Sequence, residues 1–246
     1  MCHSDDSSPP AAAGAVETGP HGQVVLEASD GNRFAAYAAR AAHPSGRGVV
    51  ILPDVRGLHS FYRQLAVRFA EISVDAVAID YFGRTAGIGD RSETFAYREH
   101  VDKTSAEGIA ADVAAAIAYL RSPPGGAAAA VFTVGFCFGG GYSWRQSADQ
   151  EHLAGAVGFY GRPALAADRI DALRAPLLLL LAGADANLPV VDAESFAAAA
   201  DQRGVESFVV VYPGAPHSFF DRAADAYAAA SADAWVQIQK FMDRYA

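Results

Sequence analysis

The sequence predicts an α/β fold, a doubly wound and mostly parallel sheet that opens with an antiparallel N-terminal hairpin and carries helices on both faces. Three observations lead there. From Gly48 onward, short continuous apolar runs alternate with stretches of helical periodicity, and strands apolar on both faces belong in the middle of a parallel sheet. Before Gly48, two short apolar stretches are joined by Asp30-Gly31-Asn32, residues that tolerate the positive φ of hairpin turns. The length of 246 residues with 52% from the apolar set is enough for one large core in a single domain.

In chain order, residues 1–22 are rich in Ser, Pro, Ala, Gly and Asp without apolar periodicity and read as an irregular tail, leaving 23–246 as one α/β domain. Gln23–Ser29 and Arg33–Arg40 form the predicted hairpin. The later strands are expected at Val49–Leu52, Ala76–Ile79, Ala130–Val134, Ala154–Phe159, Leu177–Leu181 and Phe208–Val211. Helices are expected near 60–71, 104–121, 138–148, 189–203 and 223–245. The second of these opens with a capping-box pattern, Thr104-x-x-Glu107, and Ile109, Val113, Ile117 and Leu120 give it an apolar face. Sheets of this kind bind their ligands beyond the carboxyl ends of the strands.

Composition narrows the partners. With 19 Lys and Arg against 28 Asp and Glu the formal charge is −9, and no basic run interrupts it. Such a field repels phosphate backbones and anionic head groups, so neither nucleic acid nor a membrane is expected as a partner. The apolar run at Leu177–Leu181 falls far short of the roughly 20 residues a bilayer span needs. The N-terminal Met1-Cys2-His3-Ser4-Asp5-Asp6 lacks the basic and apolar regions of a secretory leader. Two cysteines, Cys2 and Cys137, make no disulfide framework, which points to a reducing, cytoplasmic setting. Cys2-His3 alone makes no metal site, and no metal or other cofactor is expected.

The chemistry concentrates in Gly135-Phe136-Cys137-Phe138-Gly139-Gly140, where a predicted strand runs into a predicted helix. This is the pattern of a nucleophile elbow, in which the residues two before and two after the nucleophile are small so that strand and helix pass closely. A cysteine at that tip faces the positive end of the helix, which favours its thiolate; the alternative is a buried apolar cysteine. A nucleophile of this kind needs a base and an acid on loops after later strands, in the order nucleophile, acid, histidine. Ala182-Gly183-Ala184-Asp185 and Tyr212-Pro213-Gly214-Ala215-Pro216-His217-Ser218-Phe219 supply both, with Asp192 as the fallback acid. His217 is the histidine with the expected position; His59 precedes the nucleophile in the chain. The backbone N–H groups of Phe138 and Val55 are the expected oxyanion donors. Phe82, Phe136, Phe138, Tyr142, Trp144, Tyr160 and Phe220 are candidates either for an apolar substrate pocket or for plain core.

These three segments resemble the signatures of the dienelactone hydrolase family, within the α/β-hydrolase superfamily. Leu52-Pro53-Asp54-Val55-Arg56-Gly57-Leu58 resembles the family's acidic loop, and Ala78-Ile79-Asp80-Tyr81-Phe82-Gly83-Arg84 its loop with a substrate-binding arginine. The similarity runs from about residue 23 to the C-terminus. The resemblance implies an α/β-hydrolase fold and a monomeric carboxymethylenebutenolidase-like enzyme acting on a small anionic lactone or ester. Cys137, His217 and Asp185 would form its triad, and Arg84 would grip a substrate carboxylate. Asp54 stands where members acting on dienelactone carry glutamate, and either serves as a local base, holds Arg84, or closes a turn. Arg222 is displaced by one residue from the family's second substrate-gripping arginine and is the weaker candidate. A thiolate leaves more readily than an alkoxide, so enol lactones, aryl esters and thioesters suit Cys137 better than alkyl esters. The competing functions are a broad-specificity hydrolase of activated esters or thioesters, and a noncatalytic ligand-binding or redox-sensing module on the same fold.

Overall fold

The computed structural model describes residues 6–221 and 224–246. In chain order they form β1 (Thr18–Glu27), β2 (Arg33–Ala41), β3 (Arg47–Leu52), α1 (Ser60–Ala70), β4 (Asp75–Ile79), α2 (Gly83–Ala86), α3 (Arg98–Val101), α4 (Ala106–Arg121), β5 (Ala130–Phe136), α5 (Phe138–Asp149), β6 (Gly155–Phe159), β7 (Leu177–Ala182), α6 (Val190–Asp201), β8 (Ser207–Tyr212) and α7 (Ala228–Tyr245). Two 3-10 turns, Pro163–Leu165 and Ala167–Ala172, lie between β6 and β7.

The eight described strands make one sheet in the order β1-β2-β4-β3-β5-β6-β7-β8. The β1–β2 and β2–β4 pairs are antiparallel, and every pair from β4–β3 to β7–β8 is parallel. Alternation along the strands divides the core into two layers. Val50, Leu52, Leu177, Leu179 and Leu181 face the layer that holds residues of α4, α5 and α6. Val49, Ile51, Leu178 and Leu180 face the layer of α1 and α7. The leucine run is therefore a central strand buried on both faces, which is why it shows no polar alternation.

Three boundaries differ from the sequence expectation. β1 begins at Thr18, inside the segment read as an irregular tail, because an edge strand needs only backbone pairing and its exposed positions carry no apolar pattern. The segment before it also lies on the domain: Ala12 is buried, Pro10 O accepts a bond of 3.0 Å from Trp235 Nε1, and Val16 N donates to Glu71 O. Helix α4 is capped by Ser105, whose hydroxyl accepts from Gly108 N at 3.0 Å, while Thr104 Oγ1 donates backwards to Val101 O. Helix α7 starts at Ala228 rather than near 223.

Candidate active site

The turn between β5 and α5 gives Cys137 a backbone of φ 55° and ψ −112°. An L-residue at positive φ is strained, and here the surrounding structure enforces it. Cys137 N donates to Phe159 O at 3.0 Å, and Cys137 O accepts from Gly140 N at 3.1 Å. Gly135 and Gly139 are obligatory for the close passage. A Cβ on Gly135 would lie 1.9 Å from Gly139 O, and one on Gly139 would lie 2.2 Å from Leu52 O. Tyr160 at φ 36° and Ser218 at φ 63° add two more strained residues beside the same strand ends.

His217 lies beyond β8 and Asp185 beyond β7. Nδ1 of His217 is 2.5 Å from Asp185 Oδ2, with the carboxylate side chain 2% exposed and the imidazole 27%. The other oxygen, Oδ1, accepts from the N–H groups of Asn187 at 2.9 Å and Leu188 at 3.2 Å. Both oxygens are thus held, one by the ring and one by its own loop, so the acid is fixed in orientation. The fallback acid Asp192 is exposed and makes no comparable bond to His217. The ring of Tyr160 packs against His217 with centroids 4.9 Å apart.

Cys137 and His217 line one cavity of about 460 Å³, together with Val55, Val101, Phe138, Arg162, Leu165, Asn187 and Leu188. This size is in the ordinary range for small-molecule sites. Among the described residues no acceptor takes up the N–H of Val55 or of Phe138, so both donors remain available beside the thiol. A second cavity of about 320 Å³ adjoins the first and shares Arg162, Asn187 and Leu188 with it.

The structure places Arg84 between two carboxylates. Its Nη2 lies 2.8 Å from Asp112 Oδ1 and its Nε 3.1 Å from Asp112 Oδ2, while Nη1 lies 2.5 Å from Asp30 Oδ2. This guanidinium is consumed by two carboxylates and does not line the Cys137 cavity. Burial raises the Asp112 carboxyl above the ordinary aspartate range, against the lowering effect of the Arg84 and Asn32 hydrogen bonds. Asp54 likewise neither holds Arg84 nor lines the cavity. It is fully buried, and its Oδ1 accepts from Arg56 N at 2.9 Å, so the carboxylate closes a turn. Arg222 lies outside the described residues, as do Cys2 and His3.

Of the aromatic candidates, Phe138 lines the Cys137 cavity and Tyr160 its neighbour, while Phe82, Phe136, Trp144 and Phe220 are fully buried core. Arg162, Asn187, Leu188, Leu165 and Val101 are cavity residues that sequence reasoning missed. Three of them carried a usable signal. Arg162 follows β6 and Asn187 and Leu188 follow β7, on the same carboxyl-end loops that pointed to Asp185. Among the described residues no cluster of three or more His, Cys, Asp or Glu side chains is arranged to hold a metal ion, and no helix is long and apolar enough to cross a membrane.

Comparison with known proteins identifies the family of the chain. The family model described as "Dienelactone hydrolase family" matches residues 34–246. A Methylorubrum extorquens protein named "Putative carboxymethylenebutenolidase" is 25% identical over 252 residues, covering 96% of this chain and 87% of its own length. An Escherichia coli K12 protein of the same name is 27% identical over 230 residues, covering 88% of this chain and 84% of its own. A crystal structure titled as a "Putative Dienelactone Hydrolase" from Klebsiella pneumoniae superimposes with a TM-score of 0.77 at 26% identity, over 92% of this chain and 100% of that one. With the family model matching residues 34–246 and the fold shared over 92% of the chain, the chain belongs to the dienelactone hydrolase family and is a carboxylic ester hydrolase.

Proposed function

We propose that the protein hydrolyses activated carboxylic esters, foremost an enol lactone of the dienelactone type, with Cys137 as nucleophile, His217 as base and acid, and Asp185 as its orienting partner. The observation that carries this reading is the His217–Asp185 bond of 2.5 Å at the wall of the cavity that Cys137 enters from its strained turn.

With Nδ1–H donated to Asp185, Nε2 of His217 is the lone pair that receives the Cys137 proton. The thiolate sulfur bonds to the acyl carbon, and the carbonyl oxygen becomes an oxyanion facing the N–H groups of Val55 and Phe138. Collapse breaks the bond to the leaving oxygen, which takes the proton from His217 and leaves a thioester on Cys137. Water then gives a proton back to His217 as its oxygen bonds to the acyl carbon, and the carbon–sulfur bond breaks. In a lactone the leaving enol remains attached to the acyl group, so one ring-opened acid is released. Low-pKa leaving groups are required because the tetrahedral adduct otherwise expels sulfur.

All three triad residues come from one chain, so a monomer suffices. A nucleophile that must stay a free thiol suits a reducing, cytoplasmic compartment. A second reading, a hydrolase with broad tolerance for aryl esters and thioesters, is favoured by the engagement of Arg84, which removes the cation that the lactone reading placed at the substrate.

The experiment is hydrolysis of a dienelactone followed by absorbance at neutral pH, with Cys137→Ala as control. Turnover that disappears in the variant is expected. A folded wild type that leaves dienelactone intact but cleaves 4-nitrophenyl acetate through Cys137 selects the broader reading, and turnover that survives in Cys137→Ala refutes the nucleophile.

A further inference from the structure

We propose that Arg162 is the specificity-determining cation of this site, binding a carboxylate that the substrate carries beside its scissile acyl carbon. Only the identity of the reacting atom is taken from the hydrolase reading above.

Arg162 follows β6 directly after Tyr160 and Gly161. Its backbone is anchored: Arg162 O accepts from Leu165 N at 3.1 Å, and a Cβ on Gly161 would lie 2.5 Å from Gly141 N, so the loop is pressed against α5. Pro163 next to it opens the 3-10 turn and removes another degree of freedom. The side chain is nevertheless exposed, and among the described residues its guanidinium makes no ion pair, hydrogen bond or ring contact.

The contrast with other arginines gives this weight. Arg84 is taken by Asp30 and Asp112, Arg91 by Asp80, and Arg145 by Asp149 and Asp168. Arg121 and Arg174 meet backbone carbonyls rather than acids, but among the described residues Arg162 is an arginine without an ion pair that lines the cavity of Cys137 and His217. It also lines the second cavity, so it stands at the junction of the two spaces. A guanidinium there presents parallel N–H donors to a planar carboxylate, which a lysine or a backbone donor cannot match.

The test reads charge selectivity at Cys137 in two ways. In a Cys2→Ser background a single thiol remains, and its alkylation is timed with anionic iodoacetate and neutral iodoacetamide. Arg162→Gln is expected to lower the iodoacetate-to-iodoacetamide rate ratio about fivefold or more, and Arg162→Lys to lower it less. Arg33→Gln, an exposed arginine of the hairpin, controls for net charge and leaves the ratio in place. In turnover, Arg162→Gln is expected to lower the kcat/KM ratio of 4-nitrophenyl hemisuccinate to 4-nitrophenyl acetate about ten- to a hundredfold, chiefly through KM. If the alkylation ratio responds but neither ester is hydrolysed, the hydrolase reading fails and the role of Arg162 stands. If both esters are cleaved through Cys137 and neither ratio moves in Arg162→Gln, the role of Arg162 is refuted and the hydrolase reading stands.

Discussion

Replacing Arg84 with glutamine separates a structural arginine from a substrate-binding one. Two contacts are lost. The pair with Asp30, whose side chain is 48% exposed, is screened by solvent and adds little. The bidentate pair with Asp112 is different, because that side chain is fully buried and breaking a buried pair costs about 3–5 kcal/mol. Asn32 Nδ2 still donates to Asp112 Oδ1 at 2.9 Å, and burial already pushes this carboxyl above the ordinary aspartate range, so taking up a proton relieves part of the penalty and moves the loss to the lower end. We expect about 3 kcal/mol in urea denaturation, or a fall in Tm of about 6–12 °C for a chain of this size. The sign with pH follows. Without its cation, Asp112 in the folded state rises further above the ordinary aspartate value, so the native state keeps a proton that the unfolded state has released. Stability of the variant then declines as pH rises through that window, and its deficit is largest at neutral pH and shrinks on acidification. Arg84→Met combined with Asp112→Leu should recover most of the loss. A glutamine variant within about 1 kcal/mol of wild type that instead loses its preference for anionic esters would return Arg84 to the substrate site and refute this account.

Other outcomes are as specific. Asp185→Asn keeps an acceptor for the N–H groups of Asn187 and Leu188 but loses the charge beside His217; kcat for 4-nitrophenyl acetate should fall about 10²- to 10⁴-fold with the fold intact, and a retained rate would deny the acid its role. Cys137→Gly relieves a positive-φ strain of about 1–3 kcal/mol at the expense of glycine's greater unfolded freedom, so the inactive variant should be about 1 kcal/mol more stable, measured by chemical denaturation. Arg91→Met leaves Asp80, whose carboxyl burial already holds above its ordinary range, without its partner at 2.9 Å; a loss of about 3–5 kcal/mol is expected, smaller at acidic pH, where Asp80 is protonated in both states.

The buried strands and the loops that carry Cys137, Asp185 and His217 were legible because their physics is local. A strand apolar on both faces can only sit inside a sheet, and glycines at 135 and 139 around a cysteine have a steric purpose that the backbone clashes make explicit. The start of β1 was not legible, since Thr18–His21 pairs through backbone groups that side-chain pattern does not report. Helices α2 and α3, of four residues each, are too short to show a period. The fate of Arg84 depends on Asp30 and Asp112, which lie 54 and 28 residues away in sequence, and no local motif announces such a partnership. Arg162 was overlooked for a related reason: what marks it is its place on the wall of the Cys137 cavity without an ion pair among the described residues, which only the folded chain reveals.

The loop that holds Asp185 has a second consequence. The two residues whose amides steady the carboxylate, Asn187 and Leu188, also line both cavities. Altering substrate range at these positions therefore puts the imidazole's support at risk, and libraries randomised there should yield many folded but slow enzymes. Leu165, which lines the Cys137 cavity from the separate turn after β6, offers a site where pocket shape can drift without touching the loops of Asp185 and His217. Divergence among relatives with new substrates should accordingly collect at the position of Leu165 before it reaches those of Asn187 and Leu188.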